Sequence, residues 1–290
     1  MEIRILETPS EMAEVEELQR IIWPGSETEV VPLHLLITAA HNGGLALGAF
    51  EGGKMVGFVF GFPGLYEVPD GPRLKHCSHM LGVLPGLRDS GIGFALKRAQ
   101  WQIVRKQGID RVTWTYDPLQ SRNAHLNIAR LGAVCNTYLR EVYGEMRDGL
   151  NAGLASDRFQ VDWWVNTQRV ARRLGKKPRG ELGISDYDSA QIPHLYRVTR
   201  GADSLLRPPE HFSIPTEAML LAEIPSDFMQ IRQTDLSLAA AWRETTRQVF
   251  EACFGSGYLI TDFIYERELH RSYYVLTHGQ ATLGDLTVQK

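Results

Sequence analysis

The chain has 290 residues, of which 43% are hydrophobic and 22% charged, a composition typical of a folded protein and unlike that of a disordered or fibrous one. This length accommodates one large domain or two modest ones. A net charge of −3 provides no global field for nucleic acid or anionic lipid, so an anionic ligand has to be held by a local site.

The patterning of the first half predicts alternating strands and helices. Helical spacing begins after Thr8-Pro9-Ser10, and Gly52-Gly53 separates two apolar runs as in a β-hairpin. Pro85-Gly86 ends a strand, and Gly108 and Gly132 follow helical patterns as end signals. The predicted elements are a strand at 2–6, a helix after Ser10 to residue 22, strands at 45–50, 55–62 and 73–84, a helix at 91–107, a strand at 112–116, a helix at 121–131, and strands at 133–139 and 158–165.

A charged, glycine-containing stretch at 175–182 predicts a linker between domain 1–174 and domain 183–290. The smaller C-terminal domain is predicted to be α/β. Its order of strand, helix, strand, strand repeats that of residues 112–165, the second half of the preceding domain, which we interpret as a degenerate half-copy. Its aromatic strands leave open a role in protein binding or homodimerisation through an exposed edge. The predicted elements are a strand at 218–224, a helix from Asp235 to Phe254, and strands at 259–265 and 272–277.

The cysteines and the N-terminus predict a cytoplasmic protein. Cys77, Cys135 and Cys253 are an odd number in apolar surroundings, as expected of buried thiols in a reducing compartment. Residues 1–19 are acidic and lack the features of a signal peptide, and no apolar run is long enough to cross a bilayer. We therefore expect neither export nor membrane insertion.

The segment 79–93 is a strand, a turn and a glycine-punctuated helix start. Gly91 and Gly93 let a bulky anion approach the backbone, where the unpaired amides of the first helical turn point toward it. The segment therefore predicts a pyrophosphate site. An ordinary strand–turn–helix connection is the alternative, because two glycines at this spacing are common.

The run Arg88-Asp89-Ser90-Gly91-Ile92-Gly93 resembles the Arg/Gln-x-x-Gly-x-Gly/Ala signature of the GNAT superfamily of acyl-CoA N-acyltransferases. The resemblance covers about residues 1–170. It implies a mixed, mostly antiparallel sheet flanked by helices, with acetyl-CoA or another acyl-CoA as co-substrate. It also implies that loop amides hold the CoA pyrophosphate, that the preceding strand contacts the pantetheine arm and the acyl carbonyl, and that an Asn-Ala pair opens the next helix. The implied cofactor contacts are Leu81, Val83, Arg88, Asp89, Ser90, Gly91, Ile92, Gly93 and Asn123.

The catalytic candidates are His79, Asp117 and Tyr143. His79 is predicted to share a strand face with the cofactor-binding strand positions, and Asp117 ends the neighbouring strand, so either could serve as the base. The family often has a tyrosine as general acid where this chain has Ile128. Tyr143, Tyr138 or solvent are the alternatives, since a thiol with a pKa of about 8.5 is already a good leaving group.

One further basic residue is a candidate for binding CoA, and the histidines of the preceding strand are not predicted to bind a metal. Lys97 is the basic residue of its helix nearest to the loop and is a candidate for the 3′-phosphate of CoA. No metal site is predicted, because His76 and His79 are three apart on a strand and should point to opposite faces.

The function predicted is transfer of an acetyl or larger acyl group, succinyl for example, from CoA to the amine of a small molecule such as an amino acid. The alternative, from a different class, is a non-catalytic acyl-CoA sensor or scaffold, which the missing tyrosine and the extra C-terminal region favour. The sequence indicates neither nucleic acid nor a membrane as a partner.

Overall fold

A computed structural model describes residues 1–25, 27–144, 153–175, 180–266 and 269–278. Residues 27–29 and 85–87 form 3₁₀ turns and His125–Arg130 is π-helical. The regular elements, in chain order, are β1 (Glu2–Ile5), α1 (Pro9–Ile22), α2 (Leu33–His41), β2 (Leu45–Glu51), β3 (Lys54–Tyr66), β4 (Arg73–Val83), α3 (Ile92–Lys106), β5 (Arg111–Tyr116), α4 (Ser121–Ala124), β6 (Val134–Leu139), β7 (Arg158–Trp164), α5 (Gln168–Leu174), α6 (Ile184–Ser189), β8 (Thr199–Arg200), β9 (Leu206–Arg207), β10 (Met219–Pro225), α7 (Phe228–Thr234), α8 (Leu236–Gly255), β11 (Tyr258–Glu266) and β12 (Arg271–His278).

The chain divides into two compact units that interleave along the sequence. Unit 1 contains Met1–Trp114 and Trp164–Asn166, and unit 2 contains the described parts of Thr115–Met146, Leu150–Trp163 and Thr167–Lys290. The predicted linker at 175–182 falls within the range of unit 2, and residues 176–179 lie outside the described part of the chain. The division into domains 1–174 and 183–290 therefore stays a prediction.

Unit 1 is built on a sheet in the order β1-β2-β3-β4-β5. Strands β1 to β4 pair antiparallel, whereas β4 and β5 run parallel and are joined by α3. Helices α1 and α2 cover one face, where Phe58 and Phe60 lie in the core with Leu36. Helix α3 covers the other face through Ile92 and Leu96. The predicted mixed, mostly antiparallel sheet flanked by helices is thus confirmed.

Local signals explain where several of these elements begin. Thr8 caps α1 and forms a capping box with Glu11. The Gly52-Gly53 turn has positive φ at both residues and closes the β2–β3 hairpin. Asp235 caps α8 by accepting from the backbone N–H of Leu238 at 2.9 Å. Helix α2 was not among the predicted elements, and Leu36 is its fully buried residue.

Unit 2 contains the strands β7-β6-β11-β12-β10 in this order. Its core centres on Phe159, whose ring lies 4.9 Å from that of Phe250 and 5.5 Å from that of Tyr274. The prediction of an exposed aromatic edge at β11 and β12 is wrong, because β12 pairs with both β11 and β10 and β11 pairs with both β12 and β6. The hypothesis of a half-copy stays a prediction.

Two arginines one turn apart on α8 bind two acidic residues within unit 2. Arg243 makes a bidentate ion pair with Asp117, with N···O distances of 2.7 and 2.6 Å. Arg247 does the same with Asp157, at 2.9 Å for both bonds. Both carboxylates are buried. The C-terminal region therefore supplies the charge that makes burial of these acids possible.

We expect a fragment ending at Leu174 not to fold stably, because it keeps Asp117 and Asp157 but lacks their arginines and the core ring of Phe250. Leaving a buried charge without its partner costs about 3–5 kcal/mol. Two such losses match the whole stability of a typical domain, about 5–15 kcal/mol. Circular dichroism and urea unfolding of the fragment beside the full chain measure this.

An Arg140→Ala variant of the full chain serves as a control, because its ion pair with Glu251 is exposed and should contribute less than about 1 kcal/mol. Cooperative unfolding of the fragment with the stability of the full chain would support the predicted domain boundary and contradict the dependence on α8.

Candidate active site

The loop between β4 and α3 has the backbone geometry of an anion site. A 3₁₀ turn at Pro85–Leu87 is followed by Asp89 and Gly91, both with positive φ, +66° and +87°. Ser90 Oγ donates to the carbonyl of Leu87 at 2.6 Å and closes the turn. Gly91 is the N-cap of α3, and no side chain caps this end of the helix among the described residues. The first-turn amides thus keep their capacity to bind an anion.

The strand that leads into this loop has one side open. Leu84 N–H donates to the carbonyl of Val56 at 3.0 Å, and Gly82 stands opposite Phe58, so the even-numbered residues bond to β3. The backbone groups of Leu81 and Val83 point to the opposite side. There, the register with β5 within the described residues covers His76–Val112 and Cys77–Thr113 only. Beyond Cys77, β4 offers these groups to a ligand.

A β-bulge in β4 changes the direction of His79. Phe62 stands opposite Cys77 and Phe60 opposite Met80, so Gly61 alone faces two residues of β4, Ser78 and His79. The prediction that His79 shares a face with Leu81 and Val83 is wrong, because the extra residue interrupts the strand alternation. His79 instead contacts the rings of Phe60 and Phe62, at centroid distances of 6.3 and 5.8 Å.

The imidazole of His79 has the electrostatics of a weak base. The side chain reaches the surface, and partial burial between its aromatic neighbours lowers the pKa of His79 below its ordinary value of 6.5. The ring is therefore neutral at pH 7 and able to accept a proton.

Helix α3 and the sheet enclose a set of polar residues that we call the Lys97 cluster: Lys97, Ser78, Gln100, His76 and Trp114. Lys97 Nζ donates to Ser78 Oγ at 2.9 Å and to Gln100 Oε1 at 2.7 Å, and lies 3.8 Å from the centroid of Trp114. The side chain is 2% exposed. The prediction that Lys97 reaches the 3′-phosphate of CoA is wrong, because its amine points into the interior.

His76 completes the cluster as a neutral ring. The Oε1 atom of Gln100 accepts hydrogen bonds, so its amide Nε2 donates to His76 Nε2 at 3.0 Å, and the ring proton is on Nδ1. Burial, and then the charge of Lys97, lower the pKa of His76 from 6.5 to about 3. His76 and His79 lie on opposite faces of β4. The described residues contain no group of three or more metal-binding side chains placed to hold an ion.

Asp117, in unit 2, is held as the partner of Arg243 and of the Leu119 N–H. Burial alone raises the pKa of Asp117, but the charge and hydrogen bonds of Arg243 outweigh it and hold the pKa below its usual value. A carboxylate in this state is a weak base. The contacts favour a structural role, and the catalytic role stays a prediction.

The other predicted residues of unit 2 are Tyr143 and Asn123. The hydroxyl of Tyr143 lies 2.7 Å from that of Thr115, and its exposed ring lies under the guanidinium of Arg158. Asn123 is exposed on α4, next to the π-helical segment. Their roles as acid and as CoA contact stay predictions.

Neither Ile128, which stands where the family often has its acid, nor the alternative Tyr138 is suited to donate a proton. Ile128 is fully buried. The Tyr138 hydroxyl donates to Asp157 at 2.8 Å, and burial together with this carboxylate raises the pKa of Tyr138. Such a hydroxyl is a poor proton donor to a thiolate.

The part of the chain that carries the loop belongs to a known family. Residues 12–132 match the model described as the acetyltransferase (GNAT) family. This match confirms, for residues 12–132, the GNAT resemblance that the loop predicted. A search of curated proteins found no match. Among the described residues, no helix has the length and apolarity needed to span a membrane.

Solved structures of low sequence identity resemble part of the chain. A GNAT-family protein from Desulfovibrio desulfuricans is 18% identical with a TM-score of 0.45, and the match covers 57% of this chain and 98% of that one. An aminoglycoside 6′-N-acetyltransferase solved with coenzyme A is 15% identical, with 58% and 99% coverage and a TM-score of 0.42. Arabidopsis thaliana NAA60 in complex with a bisubstrate analogue is 16% identical, with 57% and 100% coverage and a TM-score of 0.42.

Because the folded His76 stays neutral down to about pH 3, acidification should destabilise the protein. The unfolded imidazole binds a proton below pH 6.5 and the folded one does not, so the free energy of unfolding falls with pH in this window, with a slope that approaches about 1.4 kcal/mol per pH unit below pH 5.5. Urea unfolding at pH 6.5, 5.5 and 5.0 measures the slope. The slope of the His76→Gln variant should be smaller by the contribution of His76. Equal slopes in the two proteins would contradict the assignment of His76 as a buried neutral imidazole.

Proposed function

We propose that the chain is an acyl-CoA-dependent N-acyltransferase of the cytoplasm that transfers an acetyl or larger acyl group, such as succinyl, to the amine of a small molecule such as an amino acid. The observation that carries the proposal is the uncapped first turn of α3 at Gly91, reached along the open side of β4. The amides from Arg88 to Gly93 would hold the pyrophosphate. The backbone of Leu81 and Val83 would hold the pantetheine arm and the thioester carbonyl.

In this reaction the neutral amine attacks the thioester carbonyl, a C–N bond forms, the C–S bond breaks and CoA leaves as a thiolate. At pH 7, deprotonation of the amine costs about 1 kcal/mol for an α-amino group and about 4.6 kcal/mol for a lysine-like one. His79 would take this proton. The thiolate would be protonated by solvent, since its pKa of about 8.5 makes a positioned acid unnecessary.

Positioning should contribute more than proton transfer. Holding the amine against the thioester lowers the barrier by about 7–11 kcal/mol, whereas a positioned base contributes about 10²–10⁴-fold in rate. A rigid β4 and an ordered loop therefore matter more to the proposal than the identity of the base.

The first test is donor binding followed by turnover. Acetyl-CoA and succinyl-CoA are titrated by calorimetry, and thiol release is then measured with a panel of amines. We expect at least one donor to bind and to release CoA only when an acceptor is present. If neither acetyl-CoA nor succinyl-CoA binds, the result contradicts the proposed function.

Substitutions within the loop locate the bound donor. Gly93→Val places a branched side chain on the first helical turn and should weaken donor binding at least about tenfold, because the phosphate can no longer approach the backbone. Gly86→Ala is the matched control, since a Cβ at Gly86 meets no atom within 4 Å and the residue is in the same loop. Equal affinities of the two variants would place the donor elsewhere.

The role of His79 is tested through its pH profile. His79→Asn should lower kcat/KM by about 10²–10⁴-fold with donor binding unchanged. In the unsubstituted chain the rate should fall as the pH drops through the lowered pKa of His79, below 6.5, and the variant should lack this acidic limb. An identical pH profile in the variant would exclude His79 as the base.

A second candidate function, a non-catalytic acyl-CoA sensor, is favoured by the buried Ile128 at the position where the family often has its acid and by the engagement of Tyr138 with Asp157. Tight donor binding without thiol release from any amine would support this function over catalysis.

A further inference from the structure

Lys97 occupies the point at which β4 separates from β5. The register between these strands ends at the Cys77–Thr113 pair, and the next residues along them are Ser78 and Trp114. Lys97 Nζ lies 2.9 Å from Ser78 Oγ and 3.8 Å from the centroid of the Trp114 ring. One side chain from α3 thus contacts the first residue beyond the pairing on each strand.

The contacts of Lys97 fix its position from several directions. Its bond to Gln100 is on the same helix, three residues along, and Gln100 also accepts from Ser78 at 3.2 Å and bonds to His76. The Lys97 cluster therefore links α3 to β4 through buried hydrogen bonds and to β5 through the contact of Lys97 with the Trp114 ring. Bonds of this kind are strengthened by the low polarity around them.

Burial of an amine at this position is costly. Loss of water lowers the pKa of Lys97 well below its ordinary value, and a leucine or methionine would fill similar space without this desolvation. Packing alone therefore does not account for lysine here. The directional bond to Ser78 is what an apolar side chain would not provide.

We propose that Lys97 is a positioning residue that sets the separation of β4 from β5 and, through Ser78, the course of β4 into its bulge. This inference rests on the proposed function, because the open side of β4 is where the pantetheine arm would lie. The pyrophosphate loop begins beyond Val83, five residues after Ser78, so we expect it to bind its ligand independently of the bond between Lys97 and Ser78. Ser78 directly precedes His79, so the same bond also orients the proposed base.

The experiment compares two ligands that reach different parts of the site. Lys97→Met shortens the unbranched side chain by one atom and removes its donors. We expect it to weaken binding of acetyl-CoA by about tenfold to a hundredfold, in line with misplacement of a bound group by about 1 Å. Binding of ADP, which carries the pyrophosphate and no pantetheine arm, should be unchanged. Calorimetry measures both affinities, and the KM for acetyl-CoA should rise by the same factor.

Lys106→Met, on the exposed side of the same helix, is the matched control and should alter neither affinity. Equal weakening of acetyl-CoA and ADP by Lys97→Met, or no change in either, would overturn the positioning role. If Lys97→Met does not fold, Ser78→Ala removes the bonds of Ser78 to Lys97 and Gln100 while keeping the lysine, and it is judged by the same two affinities. Absence of acetyl-CoA binding to the unsubstituted chain would instead contradict the proposed function.

Discussion

The backbone hydrogen bonds of β4 are the constraint on which the proposed site depends. A strand inside a sheet normally bonds to a neighbour on each side, and β4 does so with β3 along most of its length. On the other side, the pairing with β5 stops at Cys77. The backbone N–H and C=O groups of Leu81 and Val83 that have no strand partner can bond to water or to a ligand that carries its own donors and acceptors. Backbone groups that become buried require such a partner.

The loop and the bulge extend this constraint in two directions. After Val83, the turn through Asp89 and Gly91 leads into the uncapped first turn of α3, so strand and helix present polar backbone one after the other. Before it, the extra residue opposite Gly61 turns His79 to the face of Phe60 and Phe62. The site in unit 1 is therefore mostly backbone, which explains why few side chains signal it.

Features coded by neighbouring residues could be predicted from the sequence. The Gly52-Gly53 hairpin, the Asp235 cap and the helix start at Gly91 each depend on residues within a few positions of each other. The bulge at His79 could not, because a strand reveals a bulge only through its register with a partner. The burial of Lys97 could not either, since a lysine beside the apolar stripe of a helix has the pattern of a solvated residue.

Ion pairs between residues far apart in the sequence could not be predicted either. Asp117 and Arg243 are 126 positions apart, and no local pattern relates them. The charged stretch at 175–182 has the composition of a linker, although unit 2 contains residues on both sides of it. Composition indicates where a chain is exposed, and it does not indicate whether the flanking segments share a core.

The spacing of Arg243 and Arg247 has a consequence for how the protein is made. Because α8 is synthesised long after β5, β6 and β7, the acids at 117 and 157 emerge from the ribosome well before their cationic partners. Contacts of such high sequence separation form slowly. Until α8 is synthesised, the nascent strands of unit 2 should remain hydrated and accessible to chaperones, and their commitment to the native state should follow the synthesis of this helix.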